Sequence, residues 1–389
     1  MTESLKSLLE QQAAAVAFKP PDLDAIARDN HRRVLRRRAV TALACAAAVA
    51  VVAGTAVVLL APAKRPPDVL AEPRATDGVT WAVGSTIHDG DRTIEVGHPV
   101  RALVPTSVGF VTIDGGNNVF SVTNRGVTQI GQAVAVPSDG TEYVRLFSDP
   151  RGTLAGWIGV GPSSLVMQVH DQATGQTRSY EIGGAAPPVF FAIDDRTAYW
   201  RNAPRDGVFA VDLDTGAERQ LASGDQARNL EIWSVENGVL VFSRDRQPRG
   251  NLTSIRVGRS IDDAREFTFS ENAEASHAVR LSPGGAWLTY LLYEFNGPPQ
   301  HDDVRAFLAQ VRDADTGDLI RLQLPQPSFA VPVVWLDETT LQFLVLGPQR
   351  ANMYTCRVPE GSCDVAADLP AAAVEGSNLV LPTGGWIGE

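Results

Sequence analysis

The chain has 389 residues, of which 44% are hydrophobic, so it is long enough to bury a large core, and a repetitive all-β fold can use about 300 residues as one domain. Its net charge is −11, but residues 1–38 carry eight basic and five acidic side chains, a net charge of about +3 that leaves about −14 for the rest. An acidic large domain argues against nucleic acid and anionic membrane surfaces as its partners.

Residues 1–38 are predicted to form a short basic cytoplasmic tail. Ser4–Phe18 place apolar side chains at the spacing of one helix face, and Pro20 and Pro21 end that helix. Asp22 is positioned to cap a second helix that runs through five arginines. The tail is interpreted either as the flank of a membrane anchor or as a docking segment for a cytoplasmic partner.

Residues 39–61 are predicted to be a transmembrane helix. They read AVTALACAAAVAVVAGTAVVLLA, with no charged residue, and such a helix reaches roughly 34 Å, enough to cross a hydrocarbon core of about 30 Å. Five arginines precede this segment and only two basic residues follow it, which predicts a cytoplasmic N-terminus, a plasma-membrane location and an extracytoplasmic large domain. A cleaved signal peptide is the alternative, because Ala61-Pro62-Ala63 resembles a cleavage site and Arg32-Arg33 a degenerate twin-arginine motif. The proline-rich residues 62–77 are predicted to be a linker.

Residues 78–385 are predicted to be all-β, because helical periodicity gives way to short alternating strands separated by Gly, Asp and Asn. Two kinds of hairpin recur. The first has a small polar turn before an apolar strand, as in Ser148–Trp157 and Leu281–Tyr290. The second turns on Asp-x-x-Thr-Gly or a relative, as in Val208–Leu221, where Gly supplies a positive φ and Asp accepts local backbone hydrogen bonds.

The alternation of the two hairpins predicts a β-propeller. Each pair makes the four strands of one blade, at a repeat of about 40–55 residues. Six complete pairs and one unpartnered hairpin of the second kind, Ser85–Val96, predict seven blades, with six or eight as alternatives. The strand Asn378–Pro382 is predicted to complete that first blade and to close the ring, which removes open sheet edges. Tryptophans at strand ends are expected to pack between blades.

One turn carries a resemblance to a known family. Ser282–Tyr290 reads SPGGAWLTY and resembles the SPDG-x-W-L-x-Y turn of TolB-like and WD-repeat-like β-propellers, from which it departs at Gly284, where the family has Asp. The basic tail, the apolar segment, His88–Thr93 and the cysteine-bearing residues 355–364 together resemble uncharacterised actinobacterial single-pass membrane propellers. The resemblance covers most of residues 75–385 and implies a fold without implying an activity.

Cys356 and Cys363 flank the turn at 357–362 and are predicted to form a disulfide across a hairpin. A disulfide there fits an oxidising compartment, and two unrelated thiols are the alternative. The third cysteine, Cys45, lies within the apolar segment as a small hydrophobic residue.

The sequence predicts no catalytic residue, no cofactor and no metal ligand. It has no Gly-x-Ser-x-Gly elbow, no Gly-rich phosphate loop between strand and helix, and no histidine or cysteine pair at zinc spacing. The candidate binding loop is the insertion Glu294–Asp303, in which Asn296, His301, Asp302 and Asp303 offer polar ligand atoms. A solvated loop is the alternative, since nothing in the sequence fixes the geometry that calcium needs.

The predicted function is a binding module that recognises a protein or small-molecule ligand outside the membrane, with signalling through the tail as an extension. An extracytoplasmic hydrolase or lyase that works from the propeller channel is one alternative, and a passive envelope scaffold is another. The enzyme requires acidic or histidine side chains that converge on the axis. A channel lined mainly by apolar and neutral side chains would count against it.

Overall fold

The structure is a computed structural model, and it describes residues 78–138, 141–161, 164–181, 189–202, 206–244, 252–269, 273–275, 279–295, 304–325, 329–346, 351–369 and 379–384. The predicted tail (1–38), transmembrane helix (39–61) and linker (62–77) lie outside these residues. Within the described ranges no helix combines the length and the apolar character that a membrane crossing requires.

The described residues form seven sheets of four or five strands and one separate two-stranded hairpin. Blade 1 comprises β1 Thr80–Val83, β2 Thr86–Asp89, β3 Arg92–Glu95 and β31 Leu379–Val380; blade 2 comprises β4 Ala102–Thr106, β5 Gly109–Ile113, β6 Asn118–Thr123 and β7 Gly126–Gln132. The separate hairpin is β8 Val136–Ser138 and β9 Thr141–Tyr143; blade 3 comprises β10 Leu146–Ser148, β11 Leu154–Val160, β12 Leu165–Asp171 and β13 Gln176–Glu181. Blade 4 comprises β14 Val189–Asp194, β15 Thr197–Asn202, β16 Gly207–Asp212 and β17 Glu218–Ser223, followed by the helix α1 Gly224–Asn229. Blade 5 comprises β18 Glu231–Glu236, β19 Val239–Ser243, β20 Ser254–Gly258 and β21 Arg265–Thr268. Blade 6 comprises β22 Ala273–Ala275, β23 Arg280–Leu281, β24 Trp287–Phe295, β25 Val304–Asp313 and β26 Leu319–Ile320; blade 7 comprises β27 Phe329–Trp335, β28 Thr340–Leu346, β29 Ala351–Arg357 and β30 Cys363–Leu369.

Burial orders the strands of a blade from the axis outwards. In blade 2, β4 is buried along its whole length, whereas β7 is largely exposed. The last strands of blades 1 and 3, β3 and β13, are also largely exposed. The strand that opens each pair of hairpins therefore lies at the axis, and the strand that ends it lies at the perimeter, as in a propeller.

The ring closes as the sequence predicts. The C-terminal strand β31 pairs antiparallel with β1, with Ala82 opposite Val380 and Val83 opposite Leu379. Blade 1 thus takes its innermost strand from the end of the chain and its other three from the beginning. This pairing completes the seventh blade and confirms an all-β propeller of seven blades.

The hairpin turns lie where the repeat places them. The six turns of the first kind join the first and second strands of blades 2 to 7, and the seven of the second kind join the third and fourth strands of all blades. In blade 4, Oδ1 of Asp212 accepts hydrogen bonds from the backbone N–H groups of Asp214 (2.9 Å) and Thr215 (2.8 Å), and Gly216 has φ 72°. At this turn, Asp therefore accepts local backbone hydrogen bonds and Gly supplies a positive φ, as predicted.

Seven apolar clusters hold the ring together, one at each junction between neighbouring blades. Trp157 of blade 3 is almost completely buried with Val104 and Ile113 of blade 2, and Trp200 of blade 4 with Met167 of blade 3. Burial of a large apolar side chain contributes about 1.5–3 kcal/mol. The expected packing of tryptophans between blades is confirmed for these two residues.

Three features depart from the simple repeat. The hairpin β8–β9 is inserted between blades 2 and 3, and α1 buries Ala227 between blades 4 and 5. In blade 6 the inner strand is divided into β22 and β23, both of which pair with the nine-residue β24. Short segments of this kind have no hydrophobic period long enough to be predicted from sequence.

The predicted disulfide is present. Cys356 on β29 and Cys363 on β30 are register partners, their Cα atoms are 4.1 Å apart, and their sulfur atoms are bonded. Cys356 is fully buried in the cluster between blades 6 and 7. The disulfide therefore ties the third strand of blade 7 to its outer strand beside that cluster.

Candidate functional site

The inner strands surround a cavity on the axis of the propeller. Its volume is about 410 Å³, inside the range of about 300–1,000 Å³ that is usual for ligand pockets. Each of blades 2 to 7 contributes apolar wall residues, among them Val104, Leu146, Ile193, Ile232, Leu281 and Val333. The residues at 382–383, which follow β31, complete the lining.

Four charged side chains reach this cavity, namely Arg145, Arg151, Glu236 and Arg280. Three of them are guanidinium groups. The cavity is therefore cationic, although the chain beyond residue 38 carries a net charge of about −14. The remaining lining residues are apolar or neutral.

Glu236 ends β18 in blade 5 and forms an ion pair with Arg151, which follows β10 in blade 3. Arg151 Nη2 lies 2.9 Å from Glu236 Oε2, and the two side chains are 49% and 20% exposed. Burial raises the pKa of Glu236 to about 8; Arg151 opposes that rise, whereas Asp149 and Asp194 add to it. The pair thus joins blades 3 and 5, which are separated in the ring by blade 4.

Arg280 opens β23 in blade 6. Its Nη1 donates to the carbonyl oxygen of Val279 at 2.9 Å. No carboxylate of the described residues lies within ion-pair distance of its guanidinium. The pKa of Arg280 is lowered to about 10, mainly by burial and also by the charge of Arg145, whereas Glu236 acts in the opposite direction. Arg280 is one of the residues that line the cavity.

Arg145 immediately precedes β10 in blade 3, and its guanidinium carbon lies 6.0 Å from the ring centre of Phe147. Blades 3 and 6 are three positions apart in a ring of seven, so they face each other across the axis. Arg145 and Arg280 line the same cavity from these opposite blades, and the charge of Arg145 contributes to the lowered pKa of Arg280.

Carboxylates at the rim bind the turns of neighbouring blades. Asp149 of blade 3 accepts a hydrogen bond from the backbone N–H of Asp195 at 3.2 Å. Asp194 of blade 4 accepts from the N–H groups of Asn237 (3.0 Å) and Gly238 (2.7 Å). Glu236 ends the inner strand of blade 5 as Asp194 ends that of blade 4, but its carboxylate pairs with Arg151. It is consequently the one acid of this series that lines the cavity in the described structure.

In blade 6 the direction of this contact is reversed. Glu338 of blade 7 accepts hydrogen bonds from Ser282 Oγ (2.7 Å), from the N–H of Ala286 (3.2 Å) and from the N–H of Gly284. A Cβ on Gly284 would lie only 2.6 Å from Glu338 Oε2. The departure of this turn from the SPDG pattern therefore has a physical cause, because the carboxylate comes from the next blade and occupies the space that a side chain at 284 would need.

The turn after β31 joins blade 1 to two further blades. The N–H of Gly384 donates to Leu103 of blade 2 at 2.9 Å, and its carbonyl accepts from the N–H of Leu146 of blade 3 at 2.9 Å. Gly384 has φ 74°, and a Cβ there would lie 2.1 Å from the Leu146 carbonyl oxygen. Only glycine fits at this position.

The candidate binding loop lies outside the described residues. Asn296, His301, Asp302 and Asp303 all fall in the undescribed interval between β24 and β25, so their role stays a prediction. Over the part of the chain that the structure describes, no group of three or more His, Cys, Asp or Glu residues has the geometry of a metal site.

Two histidines of blades 1 and 2 have packing roles. His88 stacks on Trp81 with ring centres 3.7 Å apart, and His98 stacks on Phe120 at 3.8 Å. Burial lowers the pKa of both imidazoles, against the opposing charges of Glu95 and Asp114 respectively.

Sequence reasoning did not find the charged cavity. Arg151 and Glu236 are 85 residues apart in the chain, and Arg145 and Arg280 belong to opposite blades. Arg145 and Arg280 stand in no motif, and the hairpin motif that contains Arg151 and begins at Glu236 does not specify that these two residues pair. The sequence does contain one indication, the position of acids within the repeat. A hairpin of the first kind begins at or beside each of Asp149, Asp194 and Glu236, and these equivalent positions predict acids at one end of the channel.

No protein-family model matches the chain, and no curated protein sequence matches it. Solved structures do. The acylaminoacyl peptidase of Pyrococcus horikoshii is 9% identical with a TM-score of 0.51, over 79% of this chain and 53% of that one. A prolyl endopeptidase structure is 11% identical with a TM-score of 0.50, over 73% and 46%. TolB from Acinetobacter baumannii is 8% identical with a TM-score of 0.38, over 78% and 66%.

These similarities concern the fold alone. The chain spans about half the length of the two peptidase structures. The propeller fold that the resemblance to TolB-like proteins implies is confirmed by the seven blades themselves, and TolB structures are among those that match the chain. The resemblance to actinobacterial membrane propellers stays a prediction.

Proposed function

We propose that this protein is a membrane-anchored, extracytoplasmic propeller that binds a ligand in its axial cavity. The observation that carries the proposal is the cavity itself, which has ligand-pocket volume, mostly apolar walls and a few charged groups that converge from different blades. This is the arrangement by which a pocket fixes the orientation of a bound molecule.

The location rests on three features of the chain. Residues 39–61 are apolar and long enough to cross a membrane, the arginines before them favour a cytoplasmic N-terminus, and the Cys356–Cys363 disulfide fits an oxidising compartment. Signalling through the tail is an extension of this proposal that depends on a cytoplasmic partner.

Photo-crosslinking in intact cells tests the proposed site. p-Benzoylphenylalanine replaces Trp233 or Phe147, which line the cavity, and in a matched control replaces Val127, which is 38% exposed on the outer strand β7. We expect an adduct at the two cavity positions that is missing at Val127, identified by mass spectrometry. The same adducts at all three positions, or none at the cavity positions, would contradict the proposal.

One observation favours a second candidate, an extracytoplasmic hydrolase or lyase. A carboxyl group with a pKa raised to about 8 is suited to act as a general acid, and Glu236 faces the cavity. Such chemistry usually needs a second acidic or nucleophilic group, and Asp149 and Asp194 are held by backbone amides instead. Under this candidate the bound molecule recovered from Glu236→Gln would be the uncleaved form of that recovered from the wild type; the same molecule from both would exclude it.

A further inference from the structure

The guanidinium of Arg280 has hydrogen-bonding capacity that the protein does not use. A guanidinium carries five N–H donors in a planar fork. Among the described residues, Arg280 donates one hydrogen bond, to the carbonyl of Val279, and has no carboxylate partner. Arg280 is also one of the residues that line the cavity. A partly desolvated cation of this kind is costly unless an anion pairs with it.

Arg145 adds a second cation from the opposite side of the channel. It lines the same cavity and its charge acts directly on Arg280. Two guanidinium groups that line one cavity raise each other's energy, and an anion bound in that cavity would lower the energy of both. Arg280 can present two parallel N–H groups to a carboxylate, which is the preferred geometry of this pair.

The remaining walls indicate what the anion is attached to. Phe147, Trp233 and Trp335 line the cavity together with aliphatic side chains of the inner strands. Aromatic and aliphatic walls of this kind favour an organic ligand over an inorganic anion. Glu236 also faces the cavity, and because Glu236 and Arg151 pair with each other, neither is left to bind a second negative charge on the ligand. An apolar body with one negative group satisfies both conditions.

We propose that the cavity binds an organic monocarboxylate, with the carboxylate held between Arg145 and Arg280 and the apolar body packed against Trp233 and Phe147. This inference deepens the proposed function and rests on it, because it names the class of ligand for the same cavity. It assigns a role to each charged group there. Arg145 and Arg280 bind the anion, and the Arg151–Glu236 pair limits the ligand to one negative group.

Isothermal titration calorimetry on the full-length protein in detergent tests the proposal. The probes are 3-phenylpropionate and cyclohexanecarboxylate, each compared with its own primary amide, and inorganic phosphate. The amide has the same shape without the charge. We expect at least one of the two acids to bind about tenfold or more tightly than its amide, since a carboxylate–guanidinium contact contributes more than a neutral hydrogen bond. Phosphate is expected to bind more weakly than that acid.

Two substitutions test where the carboxylate binds. Arg280→Met removes the planar guanidinium group, and Arg145→Met removes the opposite cation. Because Arg145 is exposed, its substitution carries less risk of misfolding. Each is expected to abolish the preference for acid over amide. Arg256→Met is the matched control, because Arg256 pairs with Glu266 at 2.8 Å on the outer part of blade 5, away from the cavity lining. Far-ultraviolet circular dichroism checks that each variant is folded.

The outcomes separate the two proposals. Acids that bind no better than their amides, or a preference that survives in either Arg280→Met or Arg145→Met, would overturn the placement of the carboxylate between the two arginines. Phosphate that binds more tightly than either acid would also overturn it. If crosslinks still form at Trp233 in those cases, the cavity is a binding site for another class of ligand. If no probe binds and no crosslink forms there, the proposed function itself fails.

Discussion

Gly284 stands where related turns carry aspartate, and Glu338 supplies the missing carboxylate from the next blade. The hydrogen bonds that this carboxylate accepts from Ser282, Gly284 and Ala286 satisfy a turn that has no acid of its own. A side chain at 284 and the carboxylate of Glu338 would compete for the same space. The two positions are therefore coupled, although they lie 54 residues apart.

A double-mutant cycle on Gly284→Asp and Glu338→Ala measures this coupling. Each single change is expected to lower the free energy of unfolding by about 1–2 kcal/mol, the first through steric and charge conflict and the second through lost hydrogen bonds. In the double variant the new aspartate can bind the turn itself, so the combined loss is expected to be smaller than the sum by about 1 kcal/mol. Urea unfolding followed by tryptophan fluorescence gives the four values.

The control for this cycle is Gly115→Asp. A Cβ at Gly115 meets no atom within 4 Å, so the substitution should change stability by less than about 0.5 kcal/mol. Additive effects at Gly284 and Glu338 would show that the carboxylate does not replace the aspartate of the SPDG turn.

At the scale of an element, β31 and the turn after it connect three blades. The strand pairs with β1 in blade 1, and Gly384 binds the inner strands of blades 2 and 3 through its N–H and its carbonyl. Close approach to Leu146 is possible because the residue has no side chain. The end of the chain thus stabilises the axial wall as well as the ring.

Two Gly→Ala substitutions separate backbone strain from steric conflict. Gly175 and Gly384 have nearly the same φ, 71° and 74°, but a Cβ at Gly175 has no neighbour within 4 Å. Gly175→Ala is expected to cost about 1–2 kcal/mol from the left-handed conformation alone. Gly384→Ala should cost about 1–3 kcal/mol more because the methyl group displaces the carbonyl of Leu146. Equal shifts of the urea midpoint in the two variants would show that Gly384 makes no close contact.

At the scale of the whole molecule, the proposed orientation has a direct test. Thr128→Cys on the exposed face of β7 should react in intact cells with a membrane-impermeant maleimide, whereas Ser4→Cys in the tail should react only after the cells are permeabilised. Labelling of Ser4→Cys in intact cells would show that the orientation is the opposite of the one proposed. A shortened protein in the soluble fraction would instead support the cleaved signal peptide.

The features that could be predicted from the sequence are those encoded by short local motifs that repeat along the chain. The turns at Asp212–Gly216 and Ser282–Trp287 have their own residue signatures, so the blades, their number and the closing strand followed from counting them. The charged cavity was not predictable in this way. Arg145 and Arg280 line one cavity only because blades 3 and 6 face each other, and the partner of Glu236 could not be chosen among many arginines without the ring geometry. The loop that carries Asn296 and His301 to Asp303 stays a prediction.

The closure of blade 1 also constrains how the protein can be made. Until Leu379 and Val380 leave the ribosome, the inner edge of β1 has no partner, and the hydrogen-bonding groups of that strand stay open to any other edge they meet. The ring therefore cannot close before residues 379–380 are available, and a product truncated before residue 379 keeps this strand edge unpaired. Such a truncated product is expected to associate through the open edge with other unpaired strands.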